Sequence, residues 1–164
     1  MSNAEKKTAE NNLEEGQMAP DFTLPTDSDS TVTLSELKGQ NVIVYFYPKD
    51  NTPGCTTQAC EFTEQLPNFE KVDATIIGIS KDSVASHDKF KAKKDLKIIL
   101  ASDENDEVCE RYGVWQEKNM YGKKYMGIQR ATFLINKDGV VVKAWPKVKV
   151  NGHVAEVLEA AKSP

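Results

Sequence analysis

Cys55 and Cys60 lie five residues apart in Pro48-Lys-Asp-Asn-Thr-Pro-Gly-Cys-Thr-Thr-Gln-Ala-Cys60, the stretch of the chain best suited to chemistry. A thiol becomes a nucleophile when its thiolate is favoured, and the residues around Cys55 are those of a helix start. Thr52 suits the N-cap and Pro53 the first helical position, so Cys55 falls in the first turn. There it meets the positive end of the helix dipole and backbone N–H groups without helical partners, which favours the ionised sulfur. The competing use of an isolated cysteine is as a small buried apolar residue. Thr52 has two compatible uses, capping the helix and offering its hydroxyl to the thiolate or to an oxygen approaching it. Pro48 either ends the preceding strand or walls the sulfur off from water.

The spacing to Cys60 carries its own constraint. Five helical residues give a rise of about 7.5 Å and a turn of about 140°, hence a Cα separation of about 8–9 Å. A disulfide rarely tolerates more than about 7 Å. Bonding between Cys55 and Cys60 therefore requires the helix start to unwind; otherwise Cys60 packs inward as an apolar side chain. Arg130 immediately precedes the apolar run Ala131-Thr-Phe-Leu-Ile135. An arginine entering a buried strand is a candidate counter-charge for the sulfur and a donor for a polar substrate oxygen, the alternative being a charge at the strand edge. Cys109 reads as a packed thiol. His87 and His153, on polar segments, read as surface residues and lack the paired spacing of a zinc site. The absence of Cys-x-x-Cys argues against an ordinary dithiol exchanger. No metal or organic cofactor is expected.

The elements that must position these residues alternate between strand and helix. Val42–Tyr47 is a short apolar run that reads as a buried strand, followed by a helix from Pro53. Strands are expected at 75–80 and 98–100, and helices near 83–94, 104–112 and 154–161. Asn136-Lys-Asp-Gly139 marks a hairpin between Ala131–Ile135 and Val140–Val142. Upstream, Phe22–Leu24 and Val32–Leu34 form a smaller hairpin, and Ser35–Gly39 a helical turn. Residues 114–127 show no clear periodicity and read as a long connection holding at most a short strand. The result is an α/β chain with a mixed central sheet, helices on both faces and an N-terminal β-hairpin extension. Residues 1–15 are expected to be a flexible tail and 16–164 a single domain.

Composition narrows the function class. The chain has 164 residues, a net charge of −4 and three cysteines. An acidic chain without a basic block gives no footing for nucleic acid, and the cations of Lys89–Lys97 read as a solvated helix face. No apolar run approaches the ~18–20 residues of a membrane span. Without the apolar core of a secretory signal, a cytoplasmic location is expected. Three cysteines do not make a disulfide framework.

Pro48-x-x-x-Thr52-x-x-Cys55 followed by Arg130 resembles the active-site signature of the peroxiredoxins. Cys55-Thr-x-Gln-Ala-Cys60 is similar to the bacterioferritin comigratory protein, or peroxiredoxin Q, subfamily. The resemblance runs from about Gly16 to the C-terminus and includes Val-Cys-Glu-x-x-Gly-Val-Trp around Cys109. It implies a thioredoxin-like fold and a thiol peroxidase with Cys55 as peroxidatic cysteine and Cys60 resolving. Pro48, Thr52, Arg130 and the backbone N–H groups of Gly54 and Cys55 would complete the peroxide site. A thioredoxin-type dithiol would be the reductant, acting on a monomer or weak homodimer. One departure is Phe62-Thr63-Glu64, where this subfamily often has Phe-Arg-Asp; it bears on reductant contacts and unwinding. Two other classes fit the same thiol: a disulfide oxidoreductase, which would reduce protein disulfides without preferring peroxide, and a non-enzymatic redox sensor, which would recycle slowly.

Overall fold

The structure, a computed structural model, describes residues 13–27 and 29–164. Residues 1–12 of the expected tail lie outside the described residues. Leu13, by contrast, packs against the core, and the Glu15 carboxylate accepts a hydrogen bond from Ala144 N at 3.1 Å. Two short strands, β1 (Thr23–Pro25) and β2 (Thr31–Thr33), pair antiparallel, and a 3-10 turn follows over Leu34–Leu37.

The central sheet is built from β3 (Asn41–Phe46), β4 (Ala74–Ser80), β5 (Ile99–Ser102), β8 (Ala131–Ile135) and β9 (Val141–Trp145), in the order β9-β8-β3-β4-β5. β3, β4 and β5 run parallel, while β8 and β9 are antiparallel to their neighbours. The parallel pairs need crossovers, supplied by α1 (Pro53–Glu70) and α2 (Val84–Lys94). Two crossovers that step the same way across a sheet place both helices on one face.

β3 is buried along its whole length and its alternate residues serve two cores. Ile43, Tyr45 and Tyr47 join a cluster with Phe62 and Phe69 of α1, Phe90 of α2, and Val154 and Val157 of α4 (His153–Ala161). Val42, Val44 and Phe46 face Phe22, Leu24, and Val108 and Tyr112 around α3 (Val108–Arg111). The chain is thus a mixed sheet covered on both faces, with the long helices on one side and the N-terminal strands and α3 on the other. No described helix is long and apolar enough to cross a membrane.

Residues 114–127 depart from expectation. They form a hairpin, β6 (Trp115–Met120) and β7 (Lys123–Ile128), paired from Trp115↔Ile128 to Met120↔Lys123. Its two-residue turn, Tyr121-Gly122, has positive φ at both positions (53° and 80°), the geometry that matches strand twist.

Both histidines are buried, correcting the surface assignment. His87 is 0 % exposed, because α2 turns it inward together with Phe90, three residues on, while its lysines face solvent. His153 is 3 % exposed; its Nε2 lies 2.9 Å from Thr132 Oγ1 and its ring meets Trp145 edge-on. Burial lowers the His153 pKa from 6.5 to about 4, with Glu156 opposing and Arg130 adding to the shift. Between those values the unfolded chain binds a proton that the folded chain refuses, so stability falls as pH drops through this window. In His153→Gln, the stability lost between pH 7 and pH 5 in urea titrations should shrink by about 2 kcal/mol. An unchanged loss would show that the buried ring is not its source.

Candidate active site

Past Tyr47 the chain leaves the sheet through Pro48–Thr52, with Pro48 exposed at the strand's end and Asn51 at φ 64°. Thr52 is extended and stands at the N-cap, but its side chain does not cap α1. The hydroxyl instead donates to Lys49 O at 2.8 Å, which corrects the capping expectation and commits its one proton within the loop. The first helical bond runs from Thr56 N to Thr52 O at 2.8 Å. Gly54 and Cys55 N–H stand ahead of that bond, in the turn where helical donors have no helical partner.

Cys55 is 1 % exposed and packs in the cluster around Tyr45 and Phe62. Its sulfur is met by Arg130, which the approach to β8 brings to the helix start: Nη2 donates to Sγ at 3.3 Å. The other arm of the guanidinium, Nη1, donates to Gln58 Oε1 at 2.7 Å. Gln58 is 0 % exposed and lies three residues after Cys55, on the same helix face. One planar fork therefore spans the sulfur and the amide a turn later, so the arginine is an internal counter-charge, not a strand-edge charge. Its own carbonyl accepts from Val148 N at 2.9 Å, fixing the backbone behind it.

Gly54 makes room for this fork. A β-carbon there would stand 3.2 Å from Arg130 Nη2, closer than a side chain normally comes. The amide Nε2 of Gln58 and the Tyr45 hydroxyl are buried without hydrogen-bond partners among the described residues. Burial first, and then the negative charge of Cys55, push the Tyr45 hydroxyl well above its ordinary range, so it stays protonated beside the sulfur.

Cys60 is half-buried on the same unbroken helix and packs against the same cluster as Cys55. All three cysteines are free thiols. Cys109 is fully buried, and burial followed by the Asp103 carboxylate raises its pKa far above the ordinary thiol value. Such a thiol is poorly suited to react.

Three further residues stand close to this centre. Gln58 stands inside the Cys55–Cys60 motif, but its role depends on a partner that lies 72 residues away in sequence. Lys118 comes from the unexpected β6–β7 hairpin; burial, then the charge of Arg130, lowers its pKa, while Cys55 opposes the shift. A Tyr-Gly dipeptide between two runs of equal length was the signal for that hairpin. His87 belongs to a buried polar group behind the loop: its Nδ1 meets Asp50 Oδ2 at 2.7 Å and its Nε2 meets Ala101 O at 3.1 Å. Both ring nitrogens thus face oxygen atoms that can accept a hydrogen bond. Burial pushes the Asp50 carboxyl up, but hydrogen bonds from His87, Tyr47 and Ser86 outweigh it and hold the pKa below the usual value. Asp50, Asp82 and His87 bring potential metal-binding atoms within 4.8 Å of one another, each already engaged in hydrogen bonds.

Comparison with known proteins gives a consistent answer. The AhpC/TSA family model matches residues 16–144. A putative peroxiredoxin bcp of Coxiella burnetii is 55 % identical over 146 residues, covering 89 % of this chain and 97 % of its own. Peroxiredoxin Bcp of Bacillus subtilis is 50 % identical over 150 residues, covering 92 % and 96 %. Among solved structures, a peroxiredoxin Q mutant of Xylella fastidiosa superposes with a TM-score of 0.88 at 41 % identity, over 93 % of this chain and 98 % of that one. The bacterioferritin comigratory protein of Xanthomonas campestris gives a TM-score of 0.85 at 46 % identity, over 92 % and 96 %; its description credits that protein with alkyl peroxide reduction.

The contact between Gly54 and Arg130 makes a direct prediction. Gly54→Ala should slow alkylation of Cys55 by iodoacetamide at neutral pH by about threefold or more, because the displaced guanidinium loses a charge-assisted bond to the sulfur. Thermal stability should hold or rise, since alanine favours a helix over glycine by up to about 1 kcal/mol. An unchanged alkylation rate would mean that the fork tolerates the methyl group.

Proposed function

The chain belongs to the AhpC/TSA family and, within it, to the Bcp/Q group of peroxiredoxins, which are thiol peroxidases; from that premise we propose that Cys55 is the sulfur that reduces the peroxide. The observation that carries the reading is the bond from Arg130 Nη2 to the buried Cys55 Sγ at a helix start, a bond whose donor carries a full charge.

The Cys55 thiolate attacks the outer oxygen of hydrogen peroxide or an organic hydroperoxide. The S–O bond forms as the O–O bond breaks, giving a cysteine sulfenic acid and a hydroxide or alkoxide that takes a proton from solvent. Arg130 is placed to serve both ends of this step. It donates to the sulfur before attack and offers N–H groups to the oxygen on which charge develops. The N–H groups of Gly54 and Cys55 add donors at the same helix end. Thr52, its proton committed to Lys49 O, is left with lone pairs that can accept the hydroperoxide O–H and aim the reacting oxygen at sulfur. Pro48 contributes by shielding the sulfur from bulk water.

Cys60 then resolves. Its thiolate attacks the sulfenic sulfur, the S–S bond forms as the S–O bond breaks, and the hydroxide that leaves takes a proton from solvent to become water. The first turns of α1 must open for this, since an intact helix holds the two Cα atoms about 8–9 Å apart. A thioredoxin-type dithiol closes the cycle by exchange, being oxidised to its own disulfide as Cys55 and Cys60 return to thiols. The enzyme is thus an atypical two-cysteine peroxidase that works as a monomer or weak homodimer.

Three substitutions test separate parts of this cycle. Cys55→Ser should abolish peroxide consumption with thioredoxin and thioredoxin reductase; retained activity would remove Cys55 as nucleophile. Cys60→Ser should give one oxidation event per chain with little turnover, and peptide mapping of the oxidised unsubstituted protein should find Cys55 joined to Cys60. A Cys55–Cys109 bond would reassign the resolving residue. Arg130→Met should slow single-turnover oxidation by hydrogen peroxide by about 100-fold or more, the usual effect of removing a transition-state donor. A rate within twofold would return Arg130 to a structural role.

A further inference from the structure

Lys49 and Asp50 share one trans peptide group, whose carbonyl and N–H point in opposite directions. The carbonyl accepts the Thr52 hydroxyl proton at 2.8 Å. The N–H donates to Asp82 Oδ2, also at 2.8 Å. Asp82 is in turn tied to the ends of two central strands. Ser80 Oγ, at the end of β4, donates to the same Oδ2 at 2.7 Å, and Ser102 Oγ, at the end of β5, donates to the Asp82 carbonyl at 2.6 Å. Both serines are buried. On the other side of the peptide the Asp50 carboxylate, in a residue 6 % exposed, receives Tyr47 Oη at 2.6 Å, Ser86 Oγ at 2.8 Å and His87 Nδ1 at 2.7 Å. The peptide plane cannot turn without breaking a bond to this framework.

That plane decides what the Thr52 hydroxyl can do. A hydroxyl has one proton and two lone pairs. With Lys49 O fixed as its acceptor, the Thr52 hydroxyl has only lone pairs to offer any other group, the role that suits an incoming hydroperoxide. With the peptide free to turn, the proton could go to the sulfur or to solvent, and the approach of the substrate would lose its guide.

We propose that Asp82 is a positioning residue of the peroxidase reaction, which holds the Lys49–Asp50 peptide so that Thr52 meets the hydroperoxide as a hydrogen-bond acceptor. Asp82 acts through the peptide and has no hydrogen bond to Cys55 among the described residues. The inference rests on the reading of Thr52 in the proposed cycle.

The test compares two reactions of the same sulfur in the full chain: single-turnover oxidation by hydrogen peroxide, which needs Thr52, and alkylation by iodoacetamide, which does not. Asp82→Ala should slow oxidation by about tenfold, as small misplacements of a reacting group do, and leave alkylation within about twofold. Asp82→Asn, which keeps a carbonyl acceptor, should recover most of the loss. In a Thr52→Ala background, Asp82→Ala should cost nothing further, because the residue it orients is gone. Should Asp82→Ala fail to fold, Ser80→Ala, which frees the Asp82 carboxylate, takes its place in the same cycle with an expected loss of about threefold.

Three results would overturn the proposal: normal oxidation in the folded Asp82 or Ser80 variant, equal loss of oxidation and alkylation, or losses that multiply in the Thr52→Ala background. Normal oxidation in Thr52→Ala alone would instead defeat the reading of Thr52, and this inference with it. A slow Thr52→Ala beside a normal Asp82→Ala would defeat only the role of Asp82.

Discussion

A single guanidinium organises the site. Arg130 offers one arm to the Cys55 sulfur and the other to the Gln58 amide, one turn along the same helix. Arginine suits this span because its donors lie in a fixed plane and its charge does not depend on pH in the working range; a lysine could serve one partner well and the other poorly. The neighbouring features follow from that bridge. Gly54 leaves space for it, the β8 approach and the Val148 contact aim it, and burial in the cluster with Tyr45 keeps water from competing for it.

The helix that carries Cys55 in its first turn also holds Cys60 away from it. Both residues belong to α1, and the Cys55 turn is favoured by the donors and dipole of an intact helix start. A disulfide between them is incompatible with that turn. In the proposed cycle the first step draws on the folded helix and the second on its opening, so that cycle asks α1 to be stable enough to bind peroxide and weak enough at its start to open. Gly54 in the first turn gives it little intrinsic hold there, while Phe62 and Phe69 anchor the body of the helix in the core.

How much of this was legible in the sequence depended on the distance between interacting residues. Thr52, Pro53 and Cys55 announce a helix start by type and spacing, and the central strands are short runs buried on both faces. Asn136–Gly139 carries turn residues whose side chain does the expected work, with Asn136 Oδ1 accepting from Asp138 N and Val140 N. The failures share a cause. His87 looks polar in its local context because its partner, Asp50, is 37 residues away. The β6–β7 hairpin has exposed strands without apolar alternation, and Tyr121 lacks the side-chain acceptor that usually marks such a turn. Thr52 was placed correctly as the residue before the helix, yet its proton goes backwards to Lys49, a choice that only the fixed plane of the loop dictates.

Oxidation itself changes the balance that holds the helix start. In the reduced protein one arm of Arg130 ends on the Cys55 sulfur. A sulfenic acid on the proposed route is a neutral, larger group in the same closed space, so it weakens that bond and crowds the turn at once. The loop upstream is pinned through Asp50 to His87, Tyr47 and Ser86, and its amide to Asp82. On the proposed route the release then falls on the stretch between Asn51 and Gln58, where the second arm of the arginine ends. On the proposed route the product of the first step thus loosens the segment whose opening the second step requires.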